Sequence, residues 1–231
     1  MRRLVLLFAV GCLGLAAPAC RPMTPVMPAA TLARAQALPE GTSGVAIAAG
    51  LGAGGVGWSE GAGGGTARVR VAVADAKELD LSGQVIGHQC AGCSDEAGGK
   101  RGLNLSVGGR VGTRIGLTRR SSILGGAGLA WGLSGTGAGI DLGYARDLWD
   151  RYFVAGRGGI AVPIDKERYI DNKQHIVGPR TTGYGVVAFG FRTLGPMGLV
   201  GEVGLGGLGT REDGGLVGYV AIGVEQIGKL W

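Results

Sequence analysis

From Leu103 to Leu117 every second residue is apolar or small: Leu103, Leu105, Val107, Gly109, Val111, Thr113, Ile115 and Leu117. Between them stand Asn104, Ser106, Gly108, Arg110, Gly112 and Arg114. Side chains of an extended strand alternate between two faces, so this stretch has one greasy face and one that carries two arginines. A helical turn of 3.6 residues would smear both sets around its surface. The same two-residue alternation recurs. Residues 66–77 set Val69, Val71 and Val73 against Arg68 and Arg70. Residues 214–226 set Leu216, Val220, Ile222 and Val224 against Tyr219, Ala221 and Glu225.

Ten strand-like segments follow from this pattern, at about 44–58, 66–77, 79–89, 102–117, 122–133, 136–147, 151–164, 181–192, 197–208 and 214–226. Most are 11 to 16 residues long, enough for the roughly nine to eleven that a tilted strand needs to cross a bilayer. Connections near 77–79, 118–121, 147–150 and 193–196 are short, whereas those at 59–65, 90–101 and 165–180 are longer. Repeated strands with one apolar face and one polar face, joined alternately by short and long connections, are what a closed barrel in lipid requires. The expected fold is an all-β, antiparallel, up-and-down transmembrane β-barrel of about ten strands, or eight if one segment lies outside the wall.

Two other folds compete. Gly44 to Trp58 is nearly free of polar groups, and Gly-rich apolar stretches can pack as membrane helices. Fifteen residues are short for a span, however, and glycine costs about 1 kcal/mol per helical position relative to alanine. A soluble, exported β-sandwich or solenoid is the other candidate, since alternation alone does not separate lipid from a protein core.

Composition narrows the function classes. Glycine makes up 50 of 231 residues, about three times average usage, without a Gly-X-Y or nonapeptide period. Within strands glycine allows close backbone approach and sharp curvature. The start of the chain reads as a targeting segment: Arg2 and Arg3, an apolar stretch from Leu4 to Leu15, then Ala17-Pro18-Ala19. Removal of residues 1–19 leaves 21 basic against 17 acidic residues. That balance is too mild to indicate nucleic acid as a partner. Residues 20–43 carry Pro22, Pro25, Pro28 and Pro39 among small residues and read as an extended tether. Residues 44–231 are left for the barrel.

Little in the chain suggests catalysis or a cofactor. Cys90-Ala91-Gly92-Cys93 falls in a long connection, and in an exported protein such a pair most simply forms a small disulfide. A thioredoxin-like role needs a following helix, and haem attachment needs His where Ser94 stands. A metal site would have to enlist His88 with Cys90, Cys93, Asp95 or Glu96, which is half of the usual zinc pattern. The second histidine, His175, stands alone in the 165–180 connection. Gly50 to Gly55 fits a phosphate-loop spacing without a helix behind it, and Asn104-Leu105-Ser106 is a sequon inside a strand. The sharper expectation is an inward-facing network of Arg68, Arg70, Arg110, Arg114 and Arg157 with Asp80, Asp141, Glu202 and Glu225. Its bland role is to satisfy charge inside a narrow barrel; its functional role is a lumen of net positive character.

The alternation, the asymmetric connections and the terminal Trp231 together resemble small bacterial outer-membrane β-barrels, although Gln226, Gly228 and Lys229 blur the pattern before that aromatic. Ala17 to Cys20 resembles a lipoprotein signal, with Ala17 where Leu is usual. That likeness implies a diacylglycerol and palmitate anchor on Cys20, and Arg21 in place of Asp permits transfer to the outer membrane. The resemblance implies a non-enzymatic envelope protein whose partners are outer-membrane lipid and other envelope proteins. The expected role is an anchor or scaffold, of the kind that serves motility or surface complexes. The 165–180 connection, with Asp165, Lys166, Glu167, Arg168, Tyr169, Asp171 and Lys173, would be the contact surface. The alternatives are a narrow pore with a basic lumen and, behind it, a barrel enzyme acting on lipid A.

Overall fold

The structure, a computed structural model, describes residues 36–54, 62–89, 103–132, 135–164, 169–170, 176–177, 180–195, 197–209, 211 and 214–229. Ten long strands form the wall: β1 (Thr42–Gly54), β2 (Ala62–Ala74), β3 (Lys77–Gln89), β4 (Leu103–Thr118), β5 (Ser121–Gly132), β6 (Gly135–Asp147), β7 (Tyr152–Pro163), β10 (Thr182–Arg192), β11 (Met197–Gly209) and β12 (Gly214–Lys229). Two short strands, β8 (Tyr169–Ile170) and β9 (Ile176–Val177), pair with each other outside the wall. The wall closes in the order β1-β12-β11-β10-β7-β6-β5-β4-β3-β2, and every neighbouring pair is antiparallel. The closing seam runs from Thr42 opposite Lys229 to Gly54 opposite Val217. Closure leaves no unpaired edge, which is the condition for strands to cross hydrocarbon.

The face that meets the surroundings is apolar. Leu51, Leu142, Ile140 and Leu205 are 65–74% exposed, and Ile47, Val111, Val187, Val220 and Ile222 stand out beside them. Soluble monomers rarely expose a continuous apolar surface, and a belt around a closed wall fits lipid. Aromatic residues sit toward both ends of that belt. Trp131 lies near one end; at the other, Trp149 meets Tyr152 edge-on at 6.0 Å, and Tyr152 stacks on Phe189 at 5.9 Å. This placement matches the interfacial preference of amphipathic rings. The described residues contain no helix long and apolar enough to cross a membrane. The protein is a closed ten-stranded antiparallel β-barrel with an apolar outer face.

Strand ends differ from the sequence reading in instructive places. β2 begins at Ala62, so Gly63–Gly65 lie in the wall rather than in a connection, paired with Ala49 to Leu51 of β1. The turn expected near 77–79 is at 75–76, with Ala76 at a φ of 54° and a register shift between Ala72 and Ala74. β12 continues through Gln226 to Lys229, because the seam with β1 supplies ladder partners for all of these residues. One end of the barrel thus carries the connections 75–76, 119–120, 148–151 and 193–196, and the other carries 55–61, 90–102, 133–134, 164–181 and 210–213.

Candidate functional site

The interior is built by parity. Arg68 and Arg70 on β2, Glu78 and Asp80 on β3, and Arg110 and Arg114 on β4 occupy alternate positions, and all six are buried. Asp141 on β6, Arg157 on β7, Glu202 on β11 and Glu225 on β12 are buried as well. Burial of charge on this scale requires partners, since an isolated ion loses several kcal/mol of hydration.

Asp141 is the most fully coordinated carboxylate. Arg110 donates to it from Nε (2.7 Å) and Nη2 (2.9 Å), and Arg157 from Nε (3.0 Å) and Nη2 (2.8 Å). Two forked guanidiniums therefore share one carboxylate, the geometry in which charge-assisted bonds are strongest. The Arg110 head lies flat over Gly126, where an added Cβ would stand 2.6 Å from Cζ. Arg68 donates to Asp80, which also lies 3.7 Å from Arg110 Nη1. Arg70 reaches from β2 past β1 to donate to Glu225 on β12, and its Nη1 lies 3.4 Å from Glu78. Gly44 stands opposite Arg70 on β1, where an added Cβ would lie 3.6 Å from Nη2. Tyr219 donates its hydroxyl to Glu202.

On the facing wall Phe153 fills the interior against Ala48, Val200 and Ala221, with its ring lying on Gly190. At the short-turn end, Leu38 tucks into the mouth at 2% exposure and donates its backbone N–H to Glu78. Charged groups, Phe153 and Leu38 together make a floor near that end. Toward the long-connection end the inner wall carries Thr66, Gln84 and Ser106 among glycines, and these are only half-buried. The interior thus has an ionic base, and above it a half-buried polar side together with a buried cluster of Tyr184 and Leu208 against which Val217 packs.

Three buried charged residues escaped the sequence reading: Glu78, Asp147 and Arg192, the last two paired at 3.4 Å. Glu78 stands two residues before Asp80 on the same face, and the misplaced turn hid it. With them, the buried charges number six arginines and six carboxylates among the described residues. Within this buried set the formal charges balance, because the missed residues bring two acids and one base to the five arginines and four carboxylates expected from sequence.

Cys20, Cys90, Cys93, Asp95, Glu96 and His175 lie outside the described residues, as do the charged positions 165–168 and 171–175. His88 is on β3, opposite Ala62 and Asn104. Among the described residues no group of three or more His, Cys, Asp or Glu could hold a metal ion.

No family model and no curated protein matches the chain. Among solved structures, it is similar to the NanC porin, at 8% identity and a TM-score of 0.41, over 76% of this chain and 98% of that one. It is also similar to the toluene transporter TbuX of Ralstonia pickettii, at 8% identity and a TM-score of 0.36, over 82% and 90%. A third likeness is to the CymD monoaromatic hydrocarbon channel, at 9% identity and a TM-score of 0.34, over 82% and 89%.

Proposed function

We propose that the protein is a narrow outer-membrane channel for small polar solutes, closed in this state by its ionic floor. The carrying observation is the buried base of paired arginines and carboxylates, above which the inward Thr66, Gln84 and Ser106 are only half-buried. A barrel that needs only to be stable gains as much from well-packed apolar side chains as from buried ion pairs. Ion pairs, unlike an apolar plug, can hydrate and part to admit water. The balanced charge of the base favours small polar solutes over a strong preference for anions. Planar-bilayer recording of the detergent-folded protein tests this. Single-channel steps that grow when Arg110 and Asp141 are both replaced by serine support the channel; a wild type and a double variant that are both silent end it.

A second reading is a sealed envelope anchor or scaffold, and the near-complete burial of Arg70, Glu78, Asp80 and Arg114 favours it. In that reading a lipid on Cys20 enters the membrane leaflet beside the short-turn end, where the described chain begins. Connections at the opposite end, including any Cys90–Cys93 disulfide, meet partner envelope proteins. Metabolic labelling with palmitate that survives in the wild type and disappears in Cys20→Ser supports the anchor, and an unlabelled wild type removes it.

A further inference from the structure

An open groove of about 480 Å³ lies at the short-turn end, lined by Thr118, Arg119, Arg120, Ser121, Tyr144 and Arg146. Arg119 and Arg120 form the turn between β4 and β5, and Tyr144 and Arg146 come from the end of β6. Local bonds hold these parts together. The Thr118 and Ser121 hydroxyls lie 2.8 Å apart, and the Arg120 N–H donates to Thr118 Oγ1 at 3.1 Å. The Asp147 N–H donates to the Arg120 carbonyl at 2.8 Å, which ties the turn to β6. The groove is preformed.

Parity sets Arg146 apart from the other arginines of the wall. Along β6, Asp141, Ala145 and Asp147 are buried while Leu142, Tyr144 and Arg146 are exposed, so Arg146 stands on the apolar outer face. Its ladder partner is Val154, two residues to the belt side of Tyr152, whose ring meets Trp149 and Phe189. A cation on such a face is costly at mid-bilayer and costs little at the edge, where a long side chain reaches the headgroups. The ion pair that the three groove arginines make among the described residues is Arg120 with Asp150, at 3.8 Å, with side chains 64% and 81% exposed. A pair so open to water is weak. Asp147, beside Arg146 in the chain, faces inward and pairs with Arg192. Three guanidiniums therefore line the groove against one carboxylate at ion-pair distance. The outer face adjoining them carries the exposed Ile123, opposite Tyr144, and Leu142.

We infer that this groove binds the phosphodiester headgroup of an anionic phospholipid, whose acyl chains lie along Ile123 and Leu142. Guanidiniums donate forked bonds to phosphate oxygens, and the Tyr144 hydroxyl adds a donor. The adjoining apolar face favours a lipid over free phosphate. The site involves neither the lumen nor Cys20, so it stands apart from both readings of function. Native mass spectrometry of the detergent-folded full chain tests it, with phosphatidylglycerol and phosphatidylcholine offered at equal mole fraction. The wild type should retain one phosphatidylglycerol at least about tenfold more tightly than phosphatidylcholine. Arg119→Gln with Arg146→Gln should weaken that retention about thirtyfold, the attraction of two arginines near an anionic surface. Each single variant should account for about fivefold, so either reads the site if the double variant lacks the folded gel band. Lys77→Gln with Arg151→Gln removes two exposed cations from the same end, outside the groove, and should leave retention unchanged. Absent or equal retention of the two lipids by the wild type overturns the site, as does undiminished retention in the groove variants. An equal loss in the Lys77 and Arg151 variant reduces the effect to diffuse attraction and overturns it too. Displacement by inorganic phosphate at the lipid's own concentration assigns the groove to soluble phosphate and overturns the lipid.

Discussion

Replacing Asp141 with Asn is the sharpest probe of the floor, because it keeps the side-chain volume and removes only the charge and half of the accepting capacity. Two of the four donated bonds, from Arg110 Nη2 and Arg157 Nε, arrive at Oδ1, and two, from Arg110 Nε and Arg157 Nη2, at Oδ2. An amide retains one accepting oxygen, so two bonds survive and two donors meet an NH2 group instead. Hydrogen bonds to charged groups contribute about 1.5–3 kcal/mol each, so the loss is about 3–6 kcal/mol. Breaking a buried ion pair by removing one partner costs about 3–5 kcal/mol, which agrees. Asp80, 3.7 Å from Arg110, retains a partial counter-charge and holds the figure to the lower half. The expected destabilisation is about 3–4 kcal/mol, which at an m-value of about 2 kcal/mol/M lowers the urea midpoint by about 1.5–2 M. Urea titration in detergent micelles, read by the folded and unfolded gel bands, measures it. Asp147→Asn, whose carboxylate lies 3.4 Å from Arg192, serves as the comparison and is expected to lose about 1 kcal/mol. In a double-mutant cycle Arg157→Met should cost at least about 1.5 kcal/mol less in the Asn background than in the wild type. An Asn variant whose midpoint equals that of the wild type, or a cycle with no coupling, refutes the description of Asp141 as the shared clamp.

Other outcomes follow from the same geometry. Gly190→Ala places a methyl into the ring of Phe153, which is 1% exposed and has no room to retreat, and should cost about 1–3 kcal/mol in the same urea assay. Leu142→Arg, on the lipid-facing surface at 71% exposure, should cost about 2–4 kcal/mol and reduce the folded fraction recovered in lipid vesicles. Ala76→Gly relieves a left-handed residue in a tight turn and should raise stability by about 0.5–1 kcal/mol, visible as a higher urea midpoint.

The wall was legible in sequence because a period of two admits no compromise: shifting β4 by one residue would put Arg110 and Arg114 into lipid and Val111 into the lumen. Strand number followed from the same periodicity. Pairing inside the lumen was not legible. Arg70 and Glu225 are 155 residues apart and meet only because β1 and β12 close the seam. Local parity would assign Glu78 to Arg114, its direct neighbour across the ladder, and that assignment fails because other donors hold both Glu78 oxygens. The glycine excess announced close approach without saying where. Only the structure distinguishes Gly190, beneath Phe153, and Gly126, beneath Arg110, from Gly109, Gly185 and Gly228, where an added Cβ meets nothing.

Leu38 gives the chain ahead of the barrel a grip on this arrangement. Two donors, the Leu38 amide and Arg70 Nη1, reach the oxygen atoms of Glu78 while Arg114 Nε stays 3.8 Å away, and of the two the amide of Leu38 does not belong to the wall. Withdrawing that segment by one residue would return an oxygen to the protein's interior, within reach of Arg114. Tension on that leading segment and the pairing of Glu78 with Arg114 are therefore thermodynamically linked: whatever pulls on one resets the other.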